Sequence, residues 1–123
     1  MNGKEMDQFD RWALAFAWTE SGDDPRAWGD KGAASGRWQI HPAFFHDYLP
    51  EPNNPVWQGT WDEVMRATLL IFYRVRVHGY GLTVAEGAQC FHLGWSAFES
   101  GERDQQYAGR FLRYWQLAQP SAR

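Results

Sequence analysis

One cysteine, Cys90, in 123 residues excludes an intramolecular disulfide and any cysteine-based metal cage. No apolar run approaches the ~18 residues that span a bilayer, so no transmembrane helix is expected. Basic residues are scattered and outnumbered, 12 against 15 acidic ones, for a net charge of −3. That balance argues against nucleic acid as a partner and offers no polybasic patch to an anionic membrane. Histidine is also sparse. Of His41, His46, His78 and His92, the first two stand five apart, off the i, i+4 geometry of a helical ligand pair, and no metal or cofactor is expected. The opening segment "MNGKEMDQFDRW" is polar and acidic and lacks the basic and apolar regions of a signal peptide.

Aromatic residues, by contrast, are abundant: eight Trp, eight Phe and five Tyr. With 44% apolar and 22% charged residues, the chain suits one domain with one core. Most of the rings fill that core, and any excess suits a groove for flat, partly apolar ligands such as sugars.

The patterning is helical. Phe9, Ala13, Phe16 and Glu20 form one stripe at ~100° per residue, which predicts an amphipathic helix over Asp7 to Thr19 closed by Ser21-Gly22. Residues 23–36, rich in Gly, Asp, Ser and Ala, read as a loop or short hairpin. "GRWQI" (Gly36 to Ile40) reads as a short extended piece, and Pro42 opens a short helix. "PEPNNP" (Pro50 to Pro55) is an irregular loop. Thr60 and Glu63 have capping-box spacing and open the longest helix, to His78. Its middle, "ATLLIFY", is apolar nearly all round, as in a buried central helix. Thr83 and Glu86 repeat the box for a helix ending at Gly94. Asp104 can cap the last helix, with Tyr107, Phe111, Tyr114, Trp115 and Ala118 as its stripe. The expected fold is one mainly α domain over residues 1–123, with a small loop or hairpin lobe and a frayed tail at 120–123.

The triplet Glu-Ser-Gly occurs twice, at Glu20 and at Glu99. Glu99 falls in what reads as an exposed connection, where a solvated carboxylate is the simplest role. Glu20 shares the stripe of Phe9, Ala13 and Phe16 and so faces inward. It also stands at a helix C-terminus, where the macrodipole disfavours negative charge. Desolvation acts in the same direction, towards a raised pKa. A carboxyl group kept protonated near neutral pH is what acid catalysis of glycosidic cleavage requires. Cys90, mid-helix among apolar neighbours, reads as a small core residue and not a nucleophile.

The stretch "AFAWTESGDDPRAWGDKGAASGRWQI" resembles the lysozyme-like lytic transglycosylases, the family of the soluble lytic transglycosylase catalytic domain. In that family a helix ends in Glu-Ser, here Glu20-Ser21. A Gly-x-x-Gln-Ile segment follows, here Gly36-Arg37-Trp38-Gln39-Ile40. The usual Ala-Tyr-Asn-x-Gly falls at Cys90-Phe91-His92-Leu93-Gly94, and "YAGRFLRYW" (Tyr107 to Trp115) is similar to the closing helix, whose tyrosine approaches the catalytic carboxyl. The ordered motifs span about Asp7 to Trp115.

The resemblance implies a lysozyme-like fold whose groove binds peptidoglycan glycan strands as a monomer. Glu20 would be the acid and base, cutting between N-acetylmuramic acid and N-acetylglucosamine to leave 1,6-anhydro ends. It further implies substrate-side roles at the motif positions Gln39, Phe91, His92 and Tyr107. Read from the residues themselves, Ser21 can bond the following loop and fix the Glu20 helix end, and Trp38 or Trp28 either stacks on a sugar face at the substrate side or belongs to the core. Phe91-His92 in place of Tyr-Asn implies altered substrate positioning, and Arg37-Trp38 an altered groove floor. Two alternatives stand beside this. A hydrolase would need a second carboxylate, with Asp30 as first candidate and Asp23 and Asp24 behind it. A glycan-binding module of the same fold would need no turnover. Either enzyme acts on the cell wall, reached by lysis, by a dedicated secretion route or after loss of a leader, as in phage lysis, a secretion apparatus or an effector.

Overall fold

Burial of one helical face organises the chain. In the computed structural model, which describes residues 3–118, the stripe from Phe9 to Glu20 lies on α1 (Gly3–Ser21), whose Phe9, Trp12, Ala13, Ala15, Phe16 and Ala17 are buried. The helix is longer at both ends than its apolar pattern. It ends because Gly22 enters the left-handed region at φ 68°. The Gly22 N–H then bonds the Trp18 carbonyl and the Asp23 N–H the Ala17 carbonyl, at 3.2 and 3.1 Å. This pair satisfies carbonyls that the helix leaves open.

A small lobe follows. β1 (Trp28–Gly29) pairs antiparallel with β2 (Ala34–Ser35), Trp28 opposite Ser35. A 3₁₀ turn over Asp30–Gly32 joins them. The extended piece expected at Gly36 to Ile40 reduces to a single bridge between Ile40 and Ser35. Residues 36–39 instead form a turn in which Gln39 adopts φ 50°, because the chain must reverse to bring Ile40 back beside the hairpin.

The remaining helices follow their caps. α2 (Pro42–Asp47) has Pro in its first turn, where the missing N–H costs nothing. Capping boxes open α3 (Trp61–Phe72) at Thr60/Glu63 and α4 (Val84–Leu93) at Thr83/Glu86. Beyond Phe72 the long helix widens into a π turn over Tyr73–His78, which the sequence pattern did not reveal. The connection after Gly94 contains α5 (Trp95–Glu99), at whose end Glu99 lies exposed. The side chain of Asp104 accepts the Tyr107 N–H and caps α6 (Gln105–Leu117). The expected tail at 120–123 lies outside the described residues.

The fold is mainly α, with α1 at its centre in place of α3. Leu70 and Ile71 of α3 are only partly buried, whereas Trp12 of α1 is fully enclosed. Around the Trp12 ring stand Phe16, Tyr73, Phe72 and Phe111, with centroids 5.2 to 6.4 Å away. Its indole N–H donates to the Val84 carbonyl at 3.0 Å, so this large ring is buried without an orphaned donor. α6 packs along α1 and α4 against α6, which brings the C-terminal end of α1 beside the N-terminal turn of α6.

Truncating the central ring should therefore be costly. Trp12→Ala is expected to lose about 3–5 kcal/mol in urea unfolding. Trp28, which is 70% exposed, should change stability by less than about 0.5 kcal/mol on the same substitution.

Candidate active site

Glu20 emerges from the last turn of α1 at the foot of a cavity of about 340 Å³ lined by Glu20, Asp30, Gln39, His41, Phe91 and His92. The helix phase puts it there, since Phe9, Ala13 and Phe16 on the same stripe are all buried. The Tyr107 hydroxyl, from the first turn of α6, donates to Glu20 Oε2 at 2.5 Å. Burial raises the Glu20 pKa above its ordinary value, opposed by the Tyr107 hydrogen bond and by His92 and Arg110, and reinforced by Asp30. Tyr107 is itself 1% exposed. Desolvation and the neighbouring Glu20 charge raise its pKa well above the ordinary value, so the shared proton belongs to the phenol and Tyr107 is the donor.

Tyr107 is held in turn. The His92 ring lies parallel to it at 4.0 Å and 6°, and His92 Nε2 is 3.2 Å from Asp104 Oδ2. Asp104 Oδ1 accepts the Tyr107 N–H at 3.0 Å, which holds the Asp104 carboxyl below its usual range, helped by His92 and Arg110. The cap of α6, the histidine and the phenol thus form one connected unit behind Glu20. Phe91 packs edge-on against Phe16, with centroids 4.5 Å apart, and forms the apolar wall of the cavity.

The hairpin lobe supplies the opposite side. Ser21 Oγ donates to the Arg37 carbonyl at 2.7 Å and accepts the Asp24 N–H at 3.0 Å. Arg37 bridges Asp23 and Asp62 at 2.6 and 2.8 Å, tying the lobe to the start of α3. Gln39 donates through Nε2 to the Gly36 carbonyl at 2.9 Å. Its Oε1 lies 2.1 Å from where a Cβ at Gly29 would stand, so the side-chain amide packs directly on the hairpin backbone and a larger residue at 29 would displace it. Asp23, Asp30, Lys31 and Gln39 all have positive φ, at 63, 49, 59 and 50°. Strained non-glycine residues of this kind concentrate at functional sites, and two of these line the cavity.

Of the sequence candidates, Glu20, Asp30, Gln39, Phe91 and His92 share one cavity, with the Tyr107 hydroxyl bonded to Glu20. Ser21 acts from behind, on the loop. Trp38 is not in the cleft. It is 5% exposed and donates its indole N–H to the Ala13 carbonyl at 2.8 Å, so it serves the core and cannot stack on a ligand. Arg37 and Trp38 border a separate depression with Asp10, Asp23 and Asp62, and the altered groove floor expected from them does not arise. Asp23 is taken up by Arg37, and Asp24 accepts the Arg26 N–H at 2.9 Å. Asp30 is 69% exposed at its side chain and pairs with His41 Nε2 at 2.8 Å.

His41 and Arg110 were missed as parts of this site. Arg110 stands one turn beyond Tyr107, a spacing that could have signalled it. Nothing local links His41 to Asp30. Cys90 is 1% exposed, and burial pushes its thiol up to about 11, as befits a core residue. Comparison with family models, curated proteins and solved structures returned no match for the chain, so the site is read from its own chemistry.

The raised Glu20 pKa has a consequence for folding. Between the ordinary carboxyl range and the raised folded value, the folded protein holds a proton that the unfolded chain has released. Stability from this group is complete below the unfolded pKa and is lost as pH rises through the folded one. Glu20→Gln, whose amide oxygen still accepts from Tyr107, should be more stable than the parent at neutral pH, and the gain should shrink in acid. Denaturant midpoints of both proteins across that range test it; an equal difference at every pH contradicts it.

Proposed function

We propose that this chain is a lysozyme-like lytic transglycosylase domain that cuts the β-1,4 bond between N-acetylmuramic acid and N-acetylglucosamine in peptidoglycan. The observation that carries this reading is a single desolvated carboxyl group, Glu20, bonded to a buried tyrosine in an aromatic-walled cleft. Protonated Glu20 gives its proton to the glycosidic oxygen as the bond to the anomeric carbon breaks and oxocarbenium-like charge develops on the ring. The 6-hydroxyl of the same sugar then bonds the anomeric carbon and returns its proton to the Glu20 carboxylate. The atoms balance without water, metal or cofactor, and the product ends in a 1,6-anhydro ring.

The residues around Glu20 fit this cycle. Tyr107 gives a hydrogen bond to the carboxylate formed after the first proton transfer and makes it a weaker base than burial alone would. Phe91 excludes water from one wall. His92 stands where the resembled family carries asparagine and keeps a hydrogen-bonding edge near the cleft while clamping Tyr107. The work is done on cell-wall glycan strands by a monomer.

A second reading has one observation in its favour. Asp30 lines the same cavity as Glu20, as the second carboxylate of a hydrolase would. Its exposure and its pairing with His41 favour a role in shaping the lobe instead.

Digestion of purified peptidoglycan followed by mass spectrometry separates the readings. The expected products are one water lighter than hydrolysis gives. Glu20→Gln should release them at least ~10²-fold more slowly, the scale of a lost general acid. Asp30→Asn should retain most of the rate. Reducing-end products together with an inactive Asp30→Asn would transfer the site to hydrolysis. No products from walls of several types would leave a glycan-binding module.

A further inference from the structure

The cleft at Glu20 continues. Through His41, Phe91 and His92 it joins a cavity of about 330 Å³. Through Asp47, Tyr48, Leu93, Gly94 and Trp95 that cavity joins a third, of about 830 Å³. Arg76 stands in this last and largest section, on the π turn that extends α3. Turns of this kind recur at functional sites, because the extra residue re-aims side chains.

Arg76 is held in a fixed pose. Its guanidinium lies over the Trp95 ring at 3.9 Å. Nε donates to the Tyr48 hydroxyl at 2.9 Å, and Nη1 reaches the Tyr80 hydroxyl at 3.4 Å. Arg37 and Arg66 each pair with carboxylates, but among the described residues Arg76 has no carboxylate partner and its Nη2 no protein acceptor. Asp47 borders the same groove, is exposed, and makes no ion pair with it. An arginine stacked on an indole and steered by phenols through Nε and Nη1 keeps its charge and leaves Nη2 open, an arrangement that suits a charge-assisted hydrogen bond to a carboxylate.

We propose that Arg76 is a carboxylate-binding subsite, which receives the acidic substituent of a glycan strand lying in the groove. This rests on the function proposed above and adds to it the part of the substrate that is recognised away from the cut bond. The carboxylate has two sources, the stem peptide or, on strands without peptide, the lactyl group of the muramyl sugar. Trp95 offers the apolar face beside it, and Ile71 and Leu93 the flanking contacts. Chitin-type strands carry no such group.

Two experiments test this, and the first needs no turnover. Isotope-labelled protein is titrated with an N-acetylmuramyl peptide, with N-acetylmuramic acid, with carboxyl-amidated forms of both, and with a chitin oligomer. The Arg76 Nε–H and Trp95 indole signals should move with the first two only, and the larger response of the two identifies the source. Absence of any shift with carboxylate ligands, or equal shifts with the amidated forms, overturns the subsite. In the second, Arg76→Gln is compared with the parent on peptidoglycan and on chitin oligomers. The half-saturating concentration on carboxylate-bearing strands should rise about tenfold with kcat unchanged, the scale of one charge-assisted hydrogen bond. Equal losses on both substrates overturn the proposal. If no glycan is cut by the parent, the proposed activity falls, while the titration still decides the fate of Arg76.

Discussion

Everything at the site depends on the phase of one helix. Phe9, Ala13, Phe16 and Glu20 share a face of α1, and the first three are buried. Once that face is committed to the core, Glu20 has no route to bulk water except the cleft at the helix end. Rotating the helix to free the carboxyl would expose Trp12 and two phenylalanines, at about 2–3 kcal/mol of lost burial for each ring. The core therefore supplies the force that keeps a carboxyl group in a place it would otherwise leave.

In the proposed cycle the Glu20 carboxyl has to exist both protonated and charged, so its anion must be tolerated as well as disfavoured. The surroundings are built for that balance. Burial disfavours the anion, while the Tyr107 hydroxyl, His92 and Arg110 favour it. Tyr107 is placed by α6, whose cap Asp104 also engages His92, and the His92 ring lies flat on Tyr107. The same two elements that close the core, α1 and α6, thus bring donor and acceptor together across 87 positions of sequence. On the other side, the hairpin lobe is braced by Ser21 and by the Arg37 bridge, which leaves Asp30, Gln39 and His41 to shape the entrance.

What could be read from the sequence was whatever repeats at a helical period or sits at a cap. The α1 stripe, both capping boxes and the Asp104 cap are all local patterns, and the structure contains each of them; the contact of Tyr107 with Glu20 spans 87 positions and was expected only from the family resemblance. Trp38 could not be assigned from its neighbours, because it lies in a turn, where no periodicity distinguishes inward from outward. The Asp30–His41 pair arises only when the hairpin folds back. The π turn at Tyr73–His78 has no compositional mark, and the apolar run before it concealed that Ile71 faces the groove. The change to Phe91-His92 looked like a loss of substrate contacts. In the structure the Phe91 ring packs on Phe16 and the His92 ring lies flat on Tyr107.

The proposed acid role of Glu20 rests on a carboxyl group whose pKa is raised by burial and tempered by Tyr107. Its most direct test is a carbon-13 NMR titration of the Glu20 side-chain carboxyl, in the parent protein and in Tyr107→Phe. Titration above the ordinary glutamate range is expected in the parent, with a further rise in the variant, which removes a bond favouring the anion. Titration at or below the ordinary range, or a fall on removing the phenol, would contradict it.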